Sequence, residues 1–559
     1  MEKSAQGRGS LISAGLRLCL TLLSVSVVGF LAGCGGSSSS GGSGGSGGNG
    51  GGGGTTGVAT GTWVWEEGSN TGNQNGTYGT SGTAAAGNAP GARYRAAGWT
   101  DTSGNFWLFG GYGYDSVGTA NGLAGLNDLW KYSPGTGEWT WMSGSSIGDA
   151  TGSYGTQGTA SAGNVPGARV APTSWTDASG NFWLFGGDGI DSSGIIGELN
   201  DLWKYSPSTG EWTWVAGAKI GNQTGTYGTL GTSASANVPG GRQHGASWID
   251  GSGNLWLFGG EGCDVTGSAS CSGFLSDLWT FNPTTGRWTW TSGPNVANQD
   301  GKYGTKGTAA AGNVPGSRNV AVSWVDGSGN LWLFGGVGYD SAGTESGDAY
   351  LNDLWQYSPS SSQWTWVSGS NIGNQAGTYG TEGTAAAANV PGGRWGGSNW
   401  IDSSGNLWLF GGLGVTDALG DTGEFSDVWE YSPVSGEWTW QDGAETADHD
   451  GTYGTKGTGS SSNLPGGRER SVTWKDSSGN VDLRWEGLRF RGNQQRRCLA
   501  QRPVEVRAVA GSAEIGFGVR GGERRDRRGG RREQGNGIGG LACAQAHMTS
   551  WQVGGASLR

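Results

Sequence analysis

The chain has 559 residues, including 119 Gly and 31 Trp, and only 14% of its residues are charged. Glycine at this level without a three-residue period excludes collagen, and the tryptophan content excludes a disordered chain, because disordered segments are poor in aromatic residues. The formal charge is −11, although the residues after Val481 include 15 Arg and only 7 acidic residues. The rest of the chain is therefore strongly acidic, which disfavours nucleic acid as a partner. Many short strands joined by glycine-rich turns are therefore expected, in an all-β protein.

Residues 1–34 have the layout of a bacterial export signal. Basic residues precede an apolar run at 18–31, which is too short for an ordinary membrane span. The run ends in Leu-Ala-Gly-Cys, which resembles the lipobox and implies that Cys34 is lipidated after cleavage. Gly35 in place of Asp implies, by the same resemblance, sorting to the outer membrane. Ordinary signal cleavage, with Cys34 incidental, is the alternative.

Residues 35–60 form a Gly/Ser-rich tract, which predicts a flexible tether. The repeated body follows at residues 61–480, with a period of about 75 residues. Its first full unit contains Phe-Trp-Leu-Phe-Gly-Gly at 106–111, then Leu-Asn-Asp-Leu-Trp-Lys-Tyr-Ser-Pro at 126–134 and Glu-Trp-Thr-Trp at 138–141. Related motifs return in four further units, which indicates a tandem-repeat fold.

The order of these motifs resembles the kelch repeat, in which a Gly-Gly doublet follows an apolar strand and precedes an Asp-x-Trp-x-Tyr strand and a Trp. The resemblance implies a kelch-type β-propeller, the fold of the galactose oxidase central domain, with four-stranded blades whose strands we name a to d. Five complete blades and a disrupted sixth are expected. A d-type strand around Trp63 precedes the first blade, and the resemblance implies that it completes the sixth and closes the ring.

Each repeated element has a physical reason. Gly-Gly is expected to end strand b, where the backbone needs room or a positive φ, and the aromatic side chains are expected to fill the wedges between blades. A residue that recurs in every blade is expected to serve the scaffold, since a catalytic group would not be needed five or six times. This interpretation applies to Asp128, Asp201, Asp277, Asp353 and Asp427, and to Arg93, Arg169, Arg242, Arg318, Arg394 and Arg468.

The Arg-rich tail, residues 481–559, lacks the repeat pattern. Synonymous codons can be chosen for residues 481–492 so that the same bases, read one base further on, encode Ser-Ile-Phe-Gly-Gly-Arg-Ala-Tyr-Asp-Ser-Ala-Gly. This shifted sequence continues the strand-b motif. The same shift turns residues 499–507 into Trp-Leu-Asn-Asp-Leu-Trp-Lys-Tyr, the strand-c motif. Two matches in one frame and in the correct order predict a frame shift near Val481. A tail that binds nucleic acid or membrane is the alternative.

The candidate site is predicted from strand parity. In an up-and-down blade the b–c and d–a connections share one face; they are the long connections here, so ligand binding is expected on that face. Positions that differ between blades are better candidates than repeated ones, and aromatic and charged groups around a channel mouth suit a glycan or protein ligand. Solvated loop-end residues are the alternative. The candidates are Arg95, His244, Trp395, Glu469, Asp188, Glu261 and Tyr112.

Cys263 and Cys271 lie in one b–c loop of an exported chain, which predicts a local disulfide rather than a metal site. The copper of galactose oxidase needs two His, an axial Tyr and a Tyr–Cys cross-link. This chain has 3 His, of which only His244 lies near a strand, so neither copper nor another cofactor is expected. The sequence therefore favours a non-catalytic binding module tethered at the cell surface; a galactose-oxidase-like carbohydrate oxidase is the alternative.

Overall fold

The computed structural model describes residues 73–118, 123–267, 271–343, 349–417, 420–475 and 481–484. Every helix or strand found in these ranges is a β-strand. They contain no helix that is long and apolar enough to cross a membrane. The export signal with Cys34, the tether, the Trp63 strand and the tail beyond residue 484 lie outside the described residues.

The protein is a β-propeller with a ring of five antiparallel four-stranded blades, as the sequence predicts. From the ring centre outward each blade runs a, b, c, d, and strand a is broken into two short segments that both pair with strand b. The first blade consists of β1 (Arg93–Tyr94), β2 (Ala97–Thr100), β3 (Phe106–Gly113), β4 (Ala124–Ser133) and β5 (Glu138–Ser143).

The other blades repeat this order. The second has β6 (Arg169–Val170), β7 (Thr173–Thr176), β8 (Phe182–Ile190), β9 (Ile196–Ser206) and β10 (Glu211–Ala216). The third has β11 (Arg242–Gln243), β12 (Ala246–Ile249), β13 (Leu255–Gly262), β14 (Gly273–Asn282) and β15 (Arg287–Ser292). The fourth has β16 (Arg318–Asn319), β17 (Val322–Val325), β18 (Leu331–Gly338), β19 (Ala349–Ser358) and β20 (Gln363–Ser368). The fifth has β21 (Arg394–Trp395), β22 (Ser398–Ile401), β23 (Leu407–Val415), β24 (Thr422–Ser432) and β25 (Glu437–Asp442).

A two-stranded sheet lies between the fifth blade and the first. It consists of β26 (Val472–Lys475) and β27 (Val481–Arg484), and β26 contacts both β22 and β2. The indole N–H of Trp474 donates to the carbonyl of Trp107 in the first blade (3.2 Å), just as Trp248 of the third blade donates to Trp332 of the fourth (3.0 Å). The sheet thus makes the same contact with the next blade as a complete blade does.

The Gly-Gly pair does not end strand b, which corrects the expectation from the sequence. In the first blade β3 continues to Gly113, and its pairing with β4 shifts register between Phe109 and Gly111. Gly110 and Gly111 have φ of 67° and 94°. A Cβ on Gly110 would lie 3.0 Å from the carbonyl oxygens of Arg169 and Leu126. The pair is therefore a bulge that lets the next blade's strand a approach the backbone closely.

The long d–a connections lie largely along the outer edges of the blades. Less of their length is therefore available on the expected binding face than the sequence predicts. On the way into the second blade, the N–H of Gly158 donates to the carbonyl of Trp214 (2.8 Å), and Ser161 forms a bridge with Trp212. The connection thereby covers part of the backbone edge of β10. An uncovered outer strand would offer unpaired N–H and C=O groups to other chains. Much of the length of these connections therefore protects the sheet.

The core lies in the wedges between blades, as expected. At each boundary between complete blades, the Phe that precedes Gly-Gly packs on a strand-d Trp of the next blade. For Phe109 and Trp212 the ring centroids are 5.3 Å apart, and both side chains are almost fully buried. Aromatic burial of this kind supplies much of the adhesion between blades.

The recurrent Arg and Asp form buried ion pairs in all five complete blades, which confirms their structural role. In the second blade Arg169 donates from Nη1 and Nη2 to the two oxygens of Asp201 at 2.7 and 2.8 Å. Tyr154 and Trp203 each donate to the same carboxylate at 2.7 Å. The cluster links strands a and c to the edge-covering connection.

Candidate functional site at the channel mouth

One residue per blade sits in the break of strand a with a left-handed backbone. Arg95, Ala171, His244, Val320 and Arg470 have φ between 51° and 59°. The corresponding residue of the fifth blade is Gly396, with φ of 68°. Left-handed backbone is uncommon for residues other than glycine, and a β-branched Val there is an outlier. Its recurrence shows that the surrounding structure imposes this conformation.

The reason is a chain of backbone hydrogen bonds that passes from blade to blade. The N–H of Ala171 donates to the carbonyl of Arg95 (2.8 Å), and His244 donates to Ala171 (3.0 Å). The series continues through Val320 and Gly396 and reaches Arg470. We call these six residues the mouth ring. It places Arg95, His244 and Arg470 at the centre of the ring, near the end of strand a that the d–a connections enter, and we call this place the channel mouth.

A second layer contains the residues that directly precede the mouth-ring residues in the chain. In each complete blade this strand-a residue pairs with the strand-b residue that follows Gly-Gly, and that strand-b residue pairs in turn with a strand-c residue. In the second blade this row is Val170, Asp188 and Glu198. Gln243 of the next blade donates to Oε1 of Glu198 (3.0 Å), and Asn319 donates to Oε2 of Glu261 (3.3 Å). Carboxylates of one blade are therefore bound by amides of the next.

Trp395, Glu469 and Arg470 meet where the fifth blade joins the two-stranded sheet. The guanidinium carbon of Arg470 lies 4.1 Å from the centre of the Trp395 ring, a cation–π contact. The nearest oxygen of Glu469 is 3.8 Å from Nη1 of Arg470, and the two side chains are only 21% and 15% exposed. That distance is too long for a hydrogen bond, so the ion pair leaves capacity on both partners.

Burial sets the ionisation of this region. Burial, together with the nearby Arg95 and Arg470, lowers the pKa of His244 well below its ordinary value, so its imidazole is neutral. Burial, with the nearby Asp188 and Glu261, raises the pKa of Glu198 well above its ordinary value. Burial also raises the pKa of Asp188, against the opposing effect of Arg95.

Several buried polar atoms at the mouth have no hydrogen-bond partner within the described part of the chain. The donors without a partner are Nε of Arg95 and Nε of Arg470, and neither ring nitrogen of His244 has a partner. The acceptors are Oε2 of Glu198 and Oε2 of Glu469. Buried polar groups in native proteins are nearly always satisfied, so a cluster of exceptions needs an explanation. Such groups are available to hydrogen-bond a polar ligand.

The structure brings the predicted residues into two layers. Arg95 and His244 belong to the mouth ring, whereas Tyr112, Asp188, Glu261, Trp395 and Glu469 belong to the layer before it. Tyr112 contacts Tyr94 of its own blade edge to face, with ring centroids 5.8 Å apart. Sequence reasoning missed Glu198 and Arg470 as site residues. Glu198 could have been found, because its strand-c position varies between blades.

The remaining polar features add no metal site. Cys263 and Cys271 form the predicted disulfide, which closes the b–c loop of the third blade. His449 lies on an exposed d–a connection, where its Nε2 contacts the hydroxyl of Thr446 (2.7 Å). Among the residues that the structure describes, no group of three or more His, Cys, Asp or Glu is arranged to hold a metal ion.

Comparison with known proteins adds no relative. No family model matches the chain, and no curated protein matches it. The site must therefore be interpreted from its own geometry.

Proposed function

We propose that this chain is a non-catalytic, kelch-like binding module that takes a polar ligand, a glycan or a protein segment, at the channel mouth. The observation that carries the proposal is the cluster of buried donors and acceptors around the mouth ring that have no partner among the residues the structure describes. A rigid ring of blades holds these groups in place before a ligand arrives. Preorganisation of this kind lowers the entropic cost of binding.

The mixture of groups also favours binding over chemistry. The mouth combines aromatic faces with guanidinium, imidazole and carboxyl groups, which are the contacts that sugars and peptides use. Burial and the nearby Arg95 and Arg470 keep the pKa of His244 low, so its neutral imidazole offers one N–H donor and one acceptor to a ligand.

The test is a glycan and peptide array probed with the mature chain and with a matched pair of histidine variants. His244→Ala removes a side chain of the mouth ring, whereas His449→Ala alters an exposed connection. We expect binding that His244→Ala weakens and His449→Ala leaves unchanged. Copper loading with release of peroxide from galactose would instead support the oxidase and overturn the proposal.

We further propose that Cys34 anchors the module to the cell envelope, at the outer membrane or cell surface. Support comes from the lipobox-like Leu-Ala-Gly-Cys and the Gly/Ser tract that follows it. Metabolic labelling with a fatty acid tests this directly. Label is expected in the wild type and absent in Cys34→Ser, and the variant should leave the membrane fraction. Equal labelling of both proteins would contradict lipidation at this residue.

A further inference from the structure

The two arginines of the mouth ring lie next to each other in space although they stand near opposite ends of the propeller sequence. Arg95 precedes β2 and Arg470 precedes β26, and these two strands are in contact. The proximity of Arg95 is one cause, after burial, of a lowered pKa of Arg470, which falls to about 10. Two guanidinium groups in a partly dehydrated site repel each other, and an anion between them would relieve that repulsion.

The unpartnered donors show where an anion would bind. Nε of Arg95 and Nε of Arg470 are both buried without a partner in the described residues. The Nε–H and one Nη–H of a guanidinium form a fork that matches a carboxylate. The neutral His244 lies close enough to both arginines for each to affect its pKa, and it offers one further N–H donor.

The site also contains acceptors, which argues against a simple inorganic anion. Oε2 of Glu469 is buried without a partner among the described residues, and Oε1 of the same side chain lies 3.8 Å from Nη1 of Arg470. A ligand that satisfies this group together with the arginines needs a carboxylate for Arg95 and Arg470 and a hydroxyl donor for Glu469.

We propose that the channel mouth binds an acidic sugar, with its carboxylate between Arg95 and Arg470 and a hydroxyl group towards Glu469. This inference rests on the proposed binding function and specifies its ligand class. The aromatic faces of Tyr94 and Trp395 border the same place and suit the apolar face of a sugar ring. An acidic peptide such as poly-glutamate also has carboxylates, and its N–H groups could donate to Glu469, but it has no ring whose apolar face could stack on Tyr94 or Trp395.

The experiment measures the affinity of the mature full-length chain for three probes by calorimetry. These are an oligogalacturonate, a neutral galactose oligosaccharide of the same length, and poly-glutamate. We expect oligogalacturonate to bind roughly 10- to 100-fold more tightly than the neutral sugar, as for a hydrogen-bonded charge pair. Arg95→Gln and Arg470→Gln should each remove most of this preference, and the exposed Arg287→Gln should not change it.

The outcomes separate the two proposals. Equal affinity for acidic and neutral sugars that His244→Ala abolishes would overturn the acidic-sugar inference and leave the binding function standing. Tighter binding of poly-glutamate would overturn it in favour of a peptide ligand. Binding of none of the probes, together with an empty array, would count against both. Circular dichroism and the melting temperature of each variant establish that a lost affinity does not reflect a lost fold.

Discussion

At the residue scale, a buried ion pair between Arg and Asp recurs in each complete blade. In the second blade the side chains of Arg169 and Asp201 are both 0% exposed. The Asp201 carboxylate raises the pKa of Arg169 against the effect of burial. Such a pair adds little net stability over apolar residues, but loss of one partner leaves a buried charge uncompensated.

Asp201→Asn is therefore expected to lower the free energy of unfolding by about 3–5 kcal/mol, because the guanidinium of Arg169 loses its counter-ion. Denaturant unfolding measures the change. Asp300→Asn, on an exposed residue, is the control and should be nearly neutral. A loss below about 1 kcal/mol for Asp201→Asn would mean that water or another carboxylate replaces Asp201.

Glu424 is expected to make the stability of the protein depend on pH. Burial, with Glu469 and Asp448 nearby, raises the pKa of Glu424 from its ordinary 4.5 to about 7. The folded chain then binds more protons than the unfolded chain between these values, so this group's contribution to stability falls as pH rises from 4.5 to about 7. Below this window Glu424 is protonated in both states and imposes no such penalty.

Glu424→Gln should therefore raise the melting temperature at about pH 8 and change it little at about pH 4. The exposed Glu382→Gln is the control and should show no such pH dependence. Melting curves at both pH values test the expectation. The same shift at both values would show that Glu424 does not titrate between them.

At the element scale, the boundary between β26 and the first blade differs from the others. A pocket lies there, lined by residues that include Leu108, Trp139 and Trp474. At the four boundaries between complete blades, a Phe packs on the strand-d Trp that corresponds to Trp139, with centroids 5.3 or 5.4 Å apart. The pairing register places Arg484 opposite Val472, as Phe334 lies opposite Val322. The chain thus has Arg where the repeat has Phe.

Arg484→Phe restores the residue type that the complete blades have at this register position, and it should raise the free energy of unfolding by about 1.5–3 kcal/mol, the value of one buried aromatic side chain. Leu483→Phe, one position out of that register, is the matched control. Thermal unfolding of both variants tests the difference. Equal effects would mean that position 484 does not correspond to the phenylalanine of the other blades.

At the scale of the whole molecule, the sixth blade decides whether the ring is complete. Arg468 is the sixth member of the buried arginine series. Burial lowers the pKa of Arg468, whereas strand-c aspartates raise the pKa of Arg169, Arg242, Arg318 and Arg394. This difference agrees with a sixth blade whose strand-c motif has been displaced from the reading frame, the hypothesis drawn from residues 481–559.

The protein with the restored frame should unfold at a higher temperature and aggregate less than the chain as written, because strands c and d would then cover the edge of strand b in the sixth blade. Size-exclusion chromatography with light scattering and melting curves compare the two proteins. Resequencing the gene checks the premise. Equal stability of both proteins would mean that residues beyond 481 do not complete the ring.

The repeat predicts the five blades, the aromatic wedges and the Arg–Asp pairs, and two cysteines within one loop of an exported chain predict the Cys263–Cys271 disulfide. These features depend on short-range patterns and on recurrence, both of which are visible in one sequence. The bulge at Gly-Gly and the path of the d–a connections were predicted wrongly or incompletely, because hydrogen bonds to distant strands determine them. The meeting of Arg95 with Arg470, and of Glu198 with Gln243, required the folded ring: contacts between blades join residues that the linear sequence keeps far apart.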